Sequence, residues 1–464
     1  MKGTRLFFLM LFTLLLAARF CHLDVLWAEE TLPMATAQQM LHGKMLYRDL
    51  WFDKPPLLAA AYLLWGVRDG WPLRLAGALY ALLACWLAWR FARDLWGEVE
   101  AGWAAGLLAF YLIFDIPSAV TPLAADLLML APHVAAVWLA WRGRAFWSGV
   151  LAGIAFLVNA KGLFVLAVCA LWSVRALPLL AAGFLLPNAL AVGWLWSQGA
   201  LGAYYEQVWK WGRVYAGVTF VEHPFTNGLL RTAHWLGFHA ALVIAAAWFW
   251  WRDPKADRFH WIAWALISMA AVAAGWRFFP RYYFQLLPVV AIAAARGFVM
   301  LGRRRAWAVA ALLLIPLVRF GPRYALLALH TGHWVDTGMD EDSRRAAQLG
   351  RQLSTPGDTL FVWGFRPELY IYTGLPAATR FLDSQPLTGV PADRHLTQSQ
   401  PVETISTRAH RAELAATHPA MIIDGLGLFN PLLAIGQYQD LRPWLAQYEE
   451  VARTGLTVIY KHRR

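Results

Sequence analysis

Residues 24–56 read DVLWAEETLPMATAQQMLHGKMLYRDLWFDKPP, a charged and aromatic stretch between two long apolar runs. Thr31 suits a helix cap, Pro33 a first turn and Gly43 a stop, so the segment up to His42 reads as a helix. Met34, Ala37 and Leu41 share one face, with Gln38 and Gln39 off it, the pattern of a helix lying on a membrane surface. Glu29 and Glu30 stand at its N-terminus, where the helix dipole favours the ionised carboxylate. Such a carboxylate can act as general base towards a hydroxyl, or it can serve the dipole alone. Lys54 follows Asp53 and is fixed from behind by Pro55-Pro56. The chain has 34 Arg but only seven Lys. An ammonium held at headgroup level is a good point charge for a phosphate. It is equally the snorkelling end of an apolar segment.

Outward from this loop the sequence is that of a membrane protein. Of 464 residues 59% are hydrophobic and 15% charged, and the mean hydropathy is +0.44; soluble domains run nearer a quarter charged. Apolar runs cover about 5–22, 71–91, 102–117, 122–141, 145–158, 162–174, 176–196, 233–251, 259–275, 283–300 and 306–320. They predict about eleven spans, with a break at Asn159-Ala160-Lys161-Gly162 of the kind tolerated where backbone lines a cavity. The apolar stretch 56–67 is too short to span. Lys2, Arg5, Arg90, Arg93, Arg142, Arg144, Arg175, Arg252, Lys255, Arg258 and Arg303–Arg305 then fall on one side, which the positive-inside rule makes cytoplasmic. The first run reads as an uncleaved anchor. The N-terminus is expected in the cytoplasm, with loops 23–70 and 197–232 outside. Lys44, Arg48, Lys54 and Arg281 are then cations on the outer side.

Residues 1–335 hold 28 basic and 15 acidic side chains, and 336–464 hold 13 and 14. Basic excess confined to the apolar part argues against a nucleic-acid partner. The sequence divides into a transmembrane domain, 1–335, and a polar domain, 336–464, expected in the periplasm. In the polar domain Glu341–Leu353 and Arg408–Thr417 read as helices, and Thr359–Trp363, Ala420–Asp424 and Leu456–Tyr460 as strands, a small α/β fold. Cys21, Cys85 and Cys169 all lie in apolar runs, so no disulfide framework is available to the polar part.

The loop motifs resemble those of the GT-C fold glycosyltransferases that use a polyprenyl-phosphate sugar donor. The likeness is to the bacterial branch of protein-mannosyltransferase-like enzymes and lipid A aminoarabinose transferases. That branch carries an acidic pair after the first span, a helix ending in Met-Leu, a Gly, a Tyr-Arg-Asp turn and Lys-Pro-Pro. Here these are Glu29-Glu30, Met40-Leu41, Gly43, Tyr47-Arg48-Asp49 and Asp53-Lys54-Pro55-Pro56. Ala124-Ala125-Asp126 resembles the family's second outer acid, Asn159–Gly162 its threonine-lysine break, and Arg281-Tyr282-Tyr283-Phe284 its aromatic run. The family's first acid is usually Asp, and here it is Glu29.

The resemblance implies an inverting transfer of sugar to an acceptor hydroxyl of a lipid, a glycan or a protein. Glu29 would be the base, with Glu30 and Asp24 as alternatives. Lys54, Arg281, Tyr282 and Lys161 would hold the donor phosphate, and Asp126 would position the acceptor; Tyr47, Asp49 and Asp53 would support them. Asp115 reads as a solvated turn residue. His223 and Asp53 could share a divalent ion, as some relatives bind one, although no cofactor is required by the sequence. Trp27 or Trp51 could stack on a sugar. No Gly-rich phosphate loop or Ser-His-Asp arrangement is present. A transporter or lipid flippase is the competing class. It should show broken helices in matching halves, and only one break is evident. A non-catalytic relative, its polar domain a binding module, is a third.

Overall fold

The computed structural model describes residues 2–114, 121–217, 223–254, 257–331, 334–392 and 399–463; Asp115 and Lys255 lie outside them. Its first half runs α1 (Lys2–Phe20), α2 (Ala28–Leu41), α3 (Pro56–Tyr62), α4 (Trp71–Trp96), α5 (Glu98–Ile113), α6 (Ala125–Trp141), α7 (Ala145–Val158), α8 (Gly162–Trp172) and α9 (Leu177–Ser197). Then come α10 (Leu201–Tyr204), a π-helical turn Tyr205–Lys210, α11 (Trp211–Gly217), α12 (Pro224–Phe238), α13 (Ala240–Arg252) and α14 (Arg258–Ala273). A 3-10 turn Pro280–Gln285 leads to α15 (Leu287–Met300), α16 (Arg303–Ala310), α17 (Leu314–Ala328) and α18 (Val335–Leu353).

Helices Gly3–Phe20, Trp71–Trp96, Val174–Ser197 and Arg303–Ala328 are long and apolar enough to cross a membrane. The apolar run 233–251 is not one straight helix: α12 and α13 meet at 88°. Most of the other apolar runs form helices of 10–17 residues, shorter than the roughly 20 residues a straight span needs. The expected break is present, since α7 ends at Val158 and α8 starts at Gly162, with Asn159 Oδ1 accepting from Lys161 N at 3.1 Å.

Glycines let helix pairs approach closely. A Cβ on Gly149 of α7 would lie 2.1 Å from the Leu180 carbonyl oxygen of α9, and one on Gly183 of α9 1.9 Å from that of Phe146. On Gly297 of α15 it would lie 1.8 Å from the Ala245 carbonyl oxygen of α13. Small residues at such crossings are how helices pack where solvent supplies no hydrophobic drive.

The C-terminal part folds around a four-stranded sheet, β1 (Leu360–Trp363), β2 (Met421–Asp424), β3 (Tyr448–Arg453) and β4 (Val458–His462), in the order β1-β2-β4-β3. β1 and β2 are parallel, and the other pairs antiparallel. Three strands fall where the hydropathy pattern places them. β3 escapes it because its burial alternates weakly, the strand being mostly exposed. Helix α18 starts six residues earlier than the pattern suggests, and α19 (Glu368–Thr373) is too short to show a period.

One hydrophobic core runs from Leu11 to Ile459, joining the long helices to α18 and the sheet. The first loop is the joint. Leu26 N donates to Asp340 Oδ1 (3.1 Å), Gln39 Nε2 to the Leu375 carbonyl (3.3 Å) and Ala377 N to Gln39 Oε1 (2.7 Å). Lys44 Nζ donates to the Ala377 carbonyl (2.5 Å) and Trp51 N to that of Arg380 (2.7 Å). α2 therefore does not lie on a membrane surface: Glu30 to Ala37 and Gln39 are all buried. Its apolar face meets the helices, and the C-terminal unit covers its polar face. The helix begins at Ala28, before Thr31, and Gly43 follows its end at φ +87°.

Candidate active site

The adjacent glutamates Glu29 and Glu30 occupy different environments because successive helical residues point about 100° apart. Glu30 is fully buried. Its Oε1 accepts from Arg74 Nη1 and Leu123 N, both at 2.8 Å, and its Oε2 from Arg74 Nη2 (3.1 Å) and Trp27 N (3.3 Å). Both oxygens are committed to tying α2, α4 and the start of α6 together. Glu29 is 45% exposed and pairs with Arg281, Nη1 to Oε2 at 2.6 Å.

Around that pair the fold gathers residues from distant parts of the chain. Asp126, in the first turn of α6, has Lys161, Arg281 and Glu29 as electrostatic neighbours. Lys161, in the break between α7 and α8, sets its Nζ 3.0 Å from the centroid of the Tyr282 ring. That ammonium is buried and, among the described residues, has no hydrogen-bond acceptor; Asp126 is its acidic neighbour. Asp336, an exposed residue in the first turn of α18, faces Glu29 and Arg281, and partial desolvation raises its carboxyl above the ordinary carboxylate range. Nothing in the sequence pointed to Asp336, which lies some 300 residues beyond Glu29. Its position depends on the Asp340–Leu26 bond one helical turn further along.

A second group surrounds Lys54. Its Nζ meets Asp53 Oδ2 at 2.8 Å, and its carbonyl accepts from the Tyr47 hydroxyl at 2.7 Å. Tyr47 is buried at φ +65°, an unusual conformation for a bulky residue. Gln207 holds it there, donating to the Tyr47 carbonyl and accepting from Phe52 N, each at 2.8 Å. Asp49 accepts from Met45 N (2.9 Å) and pairs with Arg48 (2.8 Å), which keeps its carboxyl below the usual range. Asp383, from the C-terminal unit, faces Asp53 and Lys54; burial pushes its carboxyl up to about 7. This residue too was missed, for the same reason as Asp336.

Other expected roles find different surroundings. Asp24 is exposed and faces His330 at 3.7 Å. Trp27 is buried with its Nε1 donating to His22 Nδ1 at 3.0 Å. Trp51 is buried between Phe381 and His410, ring centroids 5.9 and 4.8 Å away. Neither ring is open to a sugar. Asp53 is held by Lys54, and His223 is an exposed residue at the start of α12. Among the described residues no group of three His, Cys, Asp or Glu side chains gathers around a metal-sized space. Asp53 is thus already engaged by Lys54, and no third such side chain joins it and His223 among the described residues.

This helical architecture, with its acidic first loop capped by an α/β unit, is the fold of the GT-C membrane glycosyltransferases. The chain is similar over 99% of its length to 98% of ArnT from Cupriavidus metallidurans bound to undecaprenyl phosphate, with a TM-score of 0.61 and 15% identity. The apo form of ArnT matches over the same shares at a TM-score of 0.59 and 16% identity. The archaeal oligosaccharyltransferase AglB from Archaeoglobus fulgidus, in complex with an inhibitory peptide and a dolichol-phosphate, matches 99% of this chain and 75% of its own at 0.50 and 11%. No protein-family model matches the sequence, and no curated protein matches it.

Proposed function

We propose that this protein is a membrane glycosyltransferase that moves a sugar from a polyprenyl-phosphate donor to an acceptor hydroxyl, with inversion. The observation that carries the reading is the convergence of Glu29, Arg281, Asp126 and the Lys161–Tyr282 pair from four separate segments of a GT-C fold. The undecaprenyl phosphate bound by ArnT supports a lipid-phosphate donor. In the proposed step the acceptor oxygen bonds to the anomeric carbon from the side opposite the phosphate. The bond from that carbon to the phosphate oxygen breaks, and its electron pair leaves on the lipid phosphate. Arg281, Lys161 and Lys54 stabilise that charge, most strongly where water is excluded. The hydroxyl proton goes to Glu29. Arg281 couples the two events: exchanging Glu29 for the donor phosphate leaves the carboxylate free as base. Glu29 is preferred to Glu30 because both oxygens of Glu30 are already committed. Asp126 positions the acceptor.

The same reading places about eleven spans in a bacterial inner membrane, the N-terminus in the cytoplasm and the unit 336–464 on the outer side with the Glu29 group. The test is transfer by the purified full chain in detergent from a panel of polyprenyl-phosphate sugars. Product from at least one donor, lost in Glu29→Gln, is the expected result. No transfer from any donor, with lipid movement across vesicles instead, would identify a flippase. A periplasm-active reporter after Arg464 should be active, and an inactive one overturns the orientation.

A further inference from the structure

In the second outer loop, α10, the π turn Tyr205–Lys210 and α11 follow one another without a break. A π turn is rare and recurs at functional sites; the residue it adds to one turn re-aims the side chains on either side. Tyr205, Glu206 and Lys210 point to solvent. Tyr204, Gln207 and Trp211 meet the first outer loop. The Tyr204 ring lies 5.0 Å from that of Tyr47, and the Trp211 ring 5.9 Å from that of Trp51. Between them Gln207 is fully buried, with both ends of its amide engaged. Its Nε2 donates to the Tyr47 carbonyl and its Oε1 accepts from Phe52 N, each at 2.8 Å.

These two bonds close the turn 47–52 across its base. Inside the turn, Arg48 N donates to the Leu46 carbonyl and Asp49 N to that of Met45, both at 2.9 Å. Tyr47, at φ +65°, adopts a conformation that bulky residues avoid, and its carbonyl is the atom that Gln207 holds. From there its hydroxyl reaches the Lys54 carbonyl at 2.7 Å. The main chain of Lys54 is thus fixed from three sides: by Gln207 two residues before it, by Tyr47 at its own carbonyl, and by Pro55-Pro56, whose rings lock φ. The Lys54 side chain is 42% exposed and its four-carbon stem is flexible. The place of its Cα therefore decides where its ammonium can reach.

We propose that Gln207 is a positioning residue for the donor phosphate, acting through Tyr47 on the main chain that carries Lys54. The inference rests on the reading of Lys54 as a phosphate ligand. It gives the second outer loop a part in donor binding that needs no contact between Gln207 and the donor.

The full chain, purified in detergent, is titrated with undecaprenyl phosphate, and bound lipid is counted by native mass spectrometry. Gln207→Met keeps the length of the side chain and removes both bonds. It should weaken binding about fivefold, the worth of one neutral hydrogen bond. Tyr47→Phe, which removes only the hydroxyl, should do the same. Lys54→Ala should weaken binding roughly tenfold or more, as loss of a charged donor does. Adding Gln207→Met to Lys54→Ala should change nothing further, because a residue that acts through Lys54 has no effect once the ammonium is gone. A general loosening of the fold would instead add its own loss. Unchanged affinity in Gln207→Met, or full additivity with Lys54→Ala, overturns the inference and leaves the phosphate role of Lys54 standing. Unchanged affinity in Lys54→Ala removes that role and the inference with it. Where Gln207→Met does not fold, the same cycle is run with Tyr47→Phe, and the same outcomes overturn the inference.

Discussion

Two neighbouring glutamates should fail in opposite ways when each is changed to Gln. Glu30→Gln keeps the shape and replaces one acceptor oxygen by an amino group. Whichever oxygen is replaced faces one Arg74 nitrogen and one backbone N–H, at 2.8 and 2.8 Å or at 3.1 and 3.3 Å. Two donors then point at a donor, and Arg74, 2% exposed, is left charged without its counterion. Breaking a buried pair from one side costs about 3–5 kcal/mol. For a chain of this size that is a fall in transition temperature of roughly 5 °C. Glu29→Gln removes a carboxylate that is 45% exposed, and its pair with Arg281 is screened accordingly. Its stability cost should stay within about 1 kcal/mol, whereas loss of a general base slows transfer about 10²–10⁴-fold. Both variants are measured by thermal unfolding in detergent and by initial transfer rate, the rate taken at a temperature where each is folded. Glu30→Gln with an unshifted transition refutes the structural role of that ion pair. Full transfer by Glu29→Gln refutes its role as base.

Lys54→Ala should raise KM for the polyprenyl-phosphate donor at least tenfold, with a smaller change in kcat; unchanged donor affinity removes Lys54 from the phosphate site. Asp383 has its carboxyl raised to about 7 by burial, so the folded state binds its proton more tightly than the unfolded chain. Stability should therefore fall as pH rises from about 4 to about 7. Asp424, raised to about 6, adds to the lower part of that window. Asp383→Asn should flatten the slope above pH 6 and make the variant more stable than wild type at pH 8, read from thermal unfolding across pH. Gly297→Ala puts a methyl group 1.8 Å from the Ala245 carbonyl oxygen; α13 and α15 must separate, at a cost of about 1–3 kcal/mol, and an unshifted transition would show that the crossing is looser than described. Trp51→Ala empties a site between Trp211, Phe381 and His410. It should expose the C-terminal unit to limited proteolysis at concentrations that leave wild type intact.

The helical membrane fold was readable because apolar runs betray themselves locally, as was the α/β character of the C-terminal part. The span count was less readable. Hydropathy sees a run such as 233–251 but not the 88° bend at His239, which arises from packing. Within the site, Glu29, Asp126, Lys161 and Arg281 could be picked out individually, and the fold supplies their proximity. Asp336 and Asp383 carry no local mark and acquire a place only through the docking of the C-terminal unit. Glu30 shows the limit from the other side: by sequence it is the twin of Glu29, and only the position of Arg74 separates them. The burial of α2 was misjudged because Gln39 is satisfied by backbone more than 330 positions away and Glu30 by Arg74 of α4.

Those long-range bonds also order events in time. The loop bearing Glu29 leaves the ribosome early, but Leu26, Gln39, Lys44 and Trp51 find their partners only at Asp340, Leu375, Ala377 and Arg380. Until about four fifths of the chain has been made, α2 has no cover for its polar face, and Asp336 joins Arg281 only after more than two thirds. A truncated product therefore lacks the assembled candidate site even though it contains Glu29, Lys54 and Arg281, and that grouping is among the last features the growing protein acquires.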